Sequence, residues 1–273
     1  MDTFFIAGGD DRSDYLYRLL SDMGWEGYGP GSLSLKEAAE KCRLILGPVP
    51  FSKDGQHLFY PAEPDRYDIK ELLSCLTPGH TLFGGAFPEE VRRHCSLNRI
   101  PCHDLMKLEM VALKNAAATA EGAIAEAISL SPGMLHQSRC LILGFGRCGQ
   151  CLADKLSGLC AHPVIADQQE AALAKAWSLG FEAISIKELK KALPGCDFIF
   201  NTIPAPVLDA SMIQELPADG TIIDIASAPG GVDFEACKRA GIRAKLCPGL
   251  PGRFSPLASA QILRDAVISL EQV

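Results

Sequence analysis

Several things are scarce in this chain. No apolar run approaches the ~20 residues that cross a bilayer, so no membrane partner is expected. A basic excess is missing: 26 Lys and Arg stand against 33 Asp and Glu, for a net charge of −7. A surface that spreads phosphate contacts needs the opposite balance, so no nucleic-acid partner is expected, though a local basic pocket for a small anion stays open. Low-complexity segments and internal repeats are absent. The first residues, Met1-Asp2-Thr3-Phe4-Phe5-Ile6-Ala7, carry acid where a secretory signal carries base, so a cytoplasmic protein is expected.

What is present is ordinary for a folded chain. An apolar share of 48% and a charged share of 22% exclude a disordered chain, a collagen and a coiled coil. The 273 residues suggest two domains, each large enough for its own core. The eleven cysteines are scattered and odd in number, as free thiols acting as small apolar residues would be. Cys148 and Cys151 have redox spacing, Cys102-His103 lacks metal-ligand spacing, and no metal is expected.

Two alternating series of strand and helix patterns follow one another. In the first, strands are expected at Thr3–Ala7, Arg43–Val49, Thr81–Gly84 and Arg99–Cys102, with helical patterns between them. Leu16, Leu19, Leu20 and Met23 recur at helical spacing after the turn Gly8-Gly9-Asp10. The stretch 50–66 reads as a loop. A long helical pattern from Asp104 to about Leu130 ends at Ser131-Pro132-Gly133. In the second series strands are expected at Cys140–Leu143, Pro163–Ala166, Glu182–Ser185, Asp197–Phe200, Thr221–Ile225 and Ile242–Leu246. The expected fold class is α/β: two doubly wound domains, an N-terminal flavodoxin-like or Rossmann-like sheet and a C-terminal NAD(P)-binding Rossmann fold, joined by a long helix. The expected boundaries are 1–103 for a substrate and partner domain, 104–131 for the connecting helix and 132–273 for the dinucleotide domain, whose last helix is free to pack back on the first.

The chemistry-bearing motif is Gly144-Phe145-Gly146-Arg147-Cys148-Gly149, a G-x-G-x-x-G run directly after an apolar strand and opening a helix. Gly144 permits the tight turn, Gly146 lets backbone approach a diphosphate, and Gly149 lets the helix pack on the strand. The helix N-terminus offers free N–H groups to that diphosphate, and Arg147 can add a phosphate contact. Asp167 ends the next strand, 18 residues after Gly149, where an acid accepts from ribose hydroxyls and repels a 2′-phosphate. The cofactor is therefore NAD or NADP, with Asp167 leaning toward NAD. Later loops at strand ends are Thr202-Ile203-Pro204, Ala226-Ser227 and the stretch up to Arg253, the first two expected against the cofactor. On the long helix Asn115, Thr119, Gly122 and Glu126 share one stripe, with Glu121 beside it; that stripe faces either a cleft or solvent.

The chain resembles the family of dipicolinate synthase A subunits of spore-forming bacteria over nearly its whole length. The resemblance lies in Gly8-Gly9-Asp10 with Arg12, in Thr119-Ala120-Glu121-Gly122-Ala123-Ile124, and in Leu143-Gly144-Phe145-Gly146-Arg147. It continues in Asn201-Thr202-Ile203-Pro204, Pro229-Gly230-Gly231-Val232-Asp233-Phe234 and Pro248-Gly249-Leu250-Pro251-Gly252. It implies an oxidoreductase that acts with the flavoprotein-like B subunit of dipicolinate synthase in the mother cell during sporulation, oxidising a dihydrodipicolinate-type intermediate to dipicolinate with NAD(P)⁺. One departure is Ala166-Asp167-Gln168, where the family often carries Ala-Arg-Ser; that leans this chain toward NAD.

For a ring dicarboxylate substrate, the candidate carboxylate binders are Arg12, Lys107 and Arg253, with Asn115 a further substrate contact. The candidate catalytic residues are Glu121 and Asp10 as proton acceptors, with Thr119 beside them and His103 an outsider. The expected site is a cleft between the two domains, and a homo-oligomer is the expected assembly. Two other readings stay open: a nucleotide-binding, non-catalytic subunit, and another two-domain dehydrogenase of amino or hydroxy acids.

Overall fold

The computed structural model describes residues 3–271. The chain divides into two compact units, one running up to Asn115 and resuming at Ser255, the other spanning Ala116–Phe254. Within the first unit, β1 (Thr3–Ile6), α1 (Asp11–Asp22), β2 (Glu26–Tyr28), α2 (Leu35–Lys41) and β3 (Leu44–Leu46) are followed by the loop over 50–66. Then come α3 (Ile69–Cys75), β4 (Thr81–Gly84), α4 (Glu89–Leu97) and β5 (Cys102–Asp104). All strands run parallel in the order β2-β1-β3-β4-β5, the flavodoxin-like order. Successive strand side chains point to opposite faces. Phe4, Ile6, Leu44 and Leu46 fill one core, and Phe5, Ala7 and Ile45 fill the other.

α5 (Glu109–Leu130) carries the chain into the second unit. At 1.5 Å per residue it is about 33 Å long. The expected start at Asp104 is too early. Asp104 ends β5, and its carboxylate accepts from the amides of Ala86 and Met106, so the chain makes a single tight turn over Leu105–Lys107 first.

The second unit contains β6 (Arg139–Leu143), α6 (Arg147–Gly158), β7 (His162–Asp167), α7 (Glu170–Ser178), β8 (Glu182–Ser185) and α8 (Leu189–Ala192). Its second half contains β9 (Phe198–Asn201), α9 (Ala210–Ile213), β10 (Thr221–Asp224), α10 (Phe234–Ala240), β11 (Arg243–Leu246) and α11 (Leu250–Phe254). The all-parallel order is β11-β10-β9-β6-β7-β8, the doubly wound dinucleotide-binding order. Alternation again splits the core: Cys140 and Ile142 face one side, Leu141 and Leu143 the other. The last helix, α12 (Pro256–Glu271), belongs to the first unit, where Ala260, Leu263 and Val267 pack with Leu16 and Leu20 of α1 and with Phe4.

All six strands expected in the second series are present, within two residues at each end. In the first series the short β2 was not foreseen, because Glu26-Gly27-Tyr28 has neither an apolar run nor a full alternation. The strand expected at Arg99–Cys102 begins three residues later. Arg99 has a positive φ, and the amide of Ile100 still bonds Cys95 to close α4. Among the described residues no helix is long and apolar enough to cross a membrane.

Candidate functional site

The site begins at the carboxyl end of β6. Gly144 turns the chain with a φ of +90°, a value costly for any residue with a Cβ. Its amide donates to the Ala166 carbonyl at 2.8 Å. The chain then enters α6 at Gly146, which offers no side-chain cap, so no capping side chain covers the positive end of a twelve-residue helix. A Cβ placed on Gly146 would meet nothing within 4 Å, whereas one on Gly149 would lie 2.1 Å from the Gly144 carbonyl oxygen. The two glycines thus do different jobs: Gly149 allows backbone contact inside the fold, and Gly146 keeps open space in front of the amides.

Asp167 closes the other side of the turn. One of its oxygens accepts from the Phe145 amide at 2.8 Å and the other from the Gln169 amide at 2.9 Å. Each carboxylate oxygen has a second lone pair, so the group can still receive a diol. Gln150 adds support that sequence reasoning missed. Its Nε2 donates to the Phe145 carbonyl at 2.8 Å, and Lys175 donates to its Oε1 at 2.7 Å.

A cleft of about 640 Å³ opens over these residues. Its walls combine Gly144, Phe145, Gly146 and Asp167 with Thr202, Ile203 and Pro204, as expected, and with Gln168, Lys187 and Val207, which were not. Their only signal was position, just beyond the ends of β7, β8 and β9. Thr202 is locked in place: its amide and its hydroxyl both donate to the Leu143 carbonyl, at 3.0 and 2.8 Å. The open cradle at Gly146, the uncapped helix and the acid on β7 fit a nicotinamide dinucleotide with its diphosphate at α6 and its adenosine ribose at Asp167.

Other expected cofactor residues lie beside this cleft rather than on its walls. Arg147 is exposed in the first turn of α6. Cys148 sits beneath that turn, where burial pushes its thiol up and the Thr119 side chain bonds to it. Burial pushes up the Cys151 thiol as well, so neither cysteine is an activated thiolate. Ala226 is buried and Ser227 exposed in the loop after β10; neither lines the cleft.

The catalytic and substrate candidates divide between the two units. Glu121 is exposed and takes an ion pair from Lys155 at 2.8 Å. Lys155 lies eight residues along α6 from Arg147, roughly 12 Å at the helix rise. The structure therefore does not bring Glu121 to the glycine turn. The stripe to which Glu121 was linked is neither a cleft wall nor a solvated face in this unit. Gly122 lies against Leu250 and Phe254 of α11, and Glu126 is buried. Arg253 is not an open anion binder, since it donates to Glu126 at 2.7 Å, and Lys245 donates to the same carboxylate at 2.5 Å.

In the first unit Asp10 caps α1, and its carboxylate is held by the Arg12 Nε and Nη2, each at 2.8 Å. Arg12 also donates to the Val49 carbonyl and is buried. The pair closes the loop after β1 and leaves neither partner an isolated charge. Lys107 is exposed after β5, three strands away from β1 in the sheet order, or about 14 Å. Asn115 is buried at the end of the first unit. His103 stacks on Phe83 with ring centroids 5.1 Å apart.

Glu126 has a stability consequence. Burial alone would raise its carboxyl, but the bonds from Lys245 and Arg253 outweigh that and hold it below its ordinary 4.5. A lowered folded pKa gives stability that is complete at neutral pH and fades as pH falls below about 4.5. Glu126→Gln is expected to cost about 2 kcal/mol at pH 7, a figure kept modest because both cations are half-exposed. The variant should also flatten the acid limb of stability. Urea unfolding at pH 7 and pH 4 checks both.

Comparison with known proteins finds relatives for both halves of the chain. Residues 3–106 match the family model of the N-terminal domain of the dipicolinate synthase A subunit, and residues 109–235 match that of the D-isomer specific 2-hydroxyacid dehydrogenase NAD binding domain. The dipicolinate synthase A subunit of Bacillus subtilis is 31% identical over 97% of this chain and 94% of its own length. The crystal structure of the A subunit from Bacillus halodurans superposes with a TM-score of 0.88 at 26% identity, covering 98% of this chain and 97% of the other. The crystal structure of the Bacillus subtilis protein gives a TM-score of 0.87 at 25% identity, covering 99% and 95%.

Proposed function

Because the chain belongs to the family of dipicolinate synthase A subunits, we propose that it oxidises a dihydrodipicolinate-type ring dicarboxylate to dipicolinate with NAD⁺, together with a flavoprotein-like B subunit, in the cytoplasm of the mother cell during sporulation. The observation that carries the reading is the open cradle at Gly146 facing Asp167 across the turn after β6. A nicotinamide dinucleotide bound there would accept the hydride. The chain's part is to hold and orient: the first turn of α6 takes the diphosphate, Asp167 takes the adenosine ribose and disfavours a 2′-phosphate, and the Thr202–Pro204 loop walls the cleft. Asp10 and Glu121 are each paired with a cation, so the proton lost on aromatisation is assigned to water. Aromatisation supplies driving force, which leaves positioning as the main catalytic contribution.

Among the described residues lining the cleft there is no histidine, which speaks against the hydroxy-acid dehydrogenase reading. The same fact favours a second reading, a nucleotide-holding subunit whose catalysis is completed by its partner. One assay separates the two. Dihydrodipicolinate made in situ is supplied with NAD⁺ to this chain alone, to the B subunit alone and to the mixture, and NADH absorbance is followed. NADH and dipicolinate formed by this chain alone would eliminate the nucleotide-holding reading, whereas product in the mixture only would favour it. Dipicolinate made by the B subunit alone at the rate of the mixture would contradict the proposal.

A further inference from the structure

We propose that the buried carboxylate of Asp224 makes this site prefer the oxidised, cationic form of its nicotinamide cofactor. The inference rests on the dinucleotide reading above. The sheet of the second unit has two halves that run outward from the β6–β9 seam, β6-β7-β8 on one side and β9-β10-β11 on the other. Asp167 ends the second strand of the first half, and Asp224 ends the second strand of the other. A dinucleotide lies across such a seam with one nucleotide over each half. With the glycine turn and Asp167 on the adenosine side, the nicotinamide side falls to the carboxyl ends of β9 and β10.

Asp224 is 0% exposed. Three N–H groups converge on it: Asn201 Nδ2 at 2.9 Å, the Ala226 amide at 3.0 Å and the Gly231 amide at 2.7 Å. All three are neutral. Lys245 on the adjacent strand β11 and Arg253 in α11 are committed to Glu126. A buried carboxylate held only by neutral donors keeps a field that water does not screen.

The same network fixes that charge to the cleft wall. Asn201 clamps Ile203 twice, accepting from its amide at 3.0 Å and donating to its carbonyl at 3.1 Å. The Gly231 carbonyl accepts from the amides of Val207 and Leu208 at 2.9 and 3.0 Å. A Cβ on Gly231 would lie 2.5 Å from the Ala205 carbonyl oxygen, so the two loops touch through backbone. The oxidised nicotinamide ring carries a positive charge, and the reduced ring carries none. A fixed negative charge on this side lowers the free energy of the first form alone.

Calorimetric titration of the full chain with NAD⁺, NADH and ADP-ribose tests this. Wild type should bind NAD⁺ more tightly than NADH. Asp224→Asn should weaken NAD⁺ about tenfold while NADH and ADP-ribose stay within about twofold, as expected for the loss of one charge in a poorly screened site. Equal weakening of NAD⁺ and NADH would make Asp224 a structural residue only and overturn the inference, as would a wild type that prefers NADH. Should Asp224→Asn fail to fold, the wild-type comparison still decides, together with Asn201→Ala. That variant keeps the charge, and it should weaken both cofactors alike and preserve their ratio; a collapsed ratio would overturn the inference. If ADP-ribose does not bind wild type, the dinucleotide reading fails and this inference with it. If ADP-ribose binds and the NAD⁺ preference is missing, this inference alone fails.

Discussion

Gly146→Ala is expected to give a folded protein that holds a dinucleotide much less tightly. The added methyl meets no protein atom within 4 Å, so the fold loses only what alanine costs at a helix N-cap, about 0.5–1 kcal/mol. The same methyl occupies the space in which a diphosphate must approach the amides of α6. Overpacking of that kind costs about 1–3 kcal/mol, so NAD⁺ affinity should fall by roughly ten- to a hundredfold. Gly149→Ala is the opposite case. Its Cβ would sit 2.1 Å from the Gly144 carbonyl oxygen, backbone that cannot step aside without opening the turn. Thermal unfolding and calorimetry on both variants should therefore separate, with Gly146→Ala failing in binding at nearly normal stability and Gly149→Ala failing in stability first. A Gly146→Ala protein that binds NAD⁺ normally would remove the diphosphate from the start of α6.

Asp167→Ser should reverse or narrow the choice between the two nicotinamide dinucleotides. Removing the carboxylate takes away charge-assisted bonds to a ribose, each about 1.5–3 kcal/mol, so NAD⁺ should weaken by about tenfold or more. It also removes the charge that repels a 2′-phosphate, so NADP⁺ should tighten. Part of the loss reaches the turn itself, because the Phe145 amide loses its 2.8 Å acceptor. Titration of both cofactors distinguishes these effects. Loosening of the turn alone would weaken NAD⁺ and NADP⁺ by the same factor, whereas loss of the ribose contact changes their ratio. An unchanged ratio would place the adenosine ribose elsewhere.

The second unit was the more legible in sequence because its signals are local. The apolar run Cys140–Leu143, the three glycines and an acid ending the next strand each depend on their immediate neighbours in the chain, and the fold keeps them where spacing put them. The polar stripe on α5 shows where such reading stops. Gly122 and Glu126 looked available because nothing nearby in sequence claims them. Their partners are Leu250, Phe254, Lys245 and Arg253, more than a hundred residues away. Glu121 was lost in the same way to Lys155, 34 residues along the chain, whereas Asp10 is claimed by the buried guanidinium of Arg12 only two residues away. The Asp224–Asn201 network was invisible for a related reason: both residues end apolar strands, and only the strand order β10-β9 sets one beside the other. The substrate contacts are the least legible part, since Arg12 and Lys107 are separated by the width of the first sheet.

The most direct measurement is a calorimetric titration of the purified chain with NAD⁺ and with NADP⁺ under the same conditions. The account predicts saturable binding of one NAD⁺ per chain and weaker NADP⁺, both weakened in Gly146→Ala. No heat from either cofactor at millimolar concentration, from a chain shown to be folded, would contradict it.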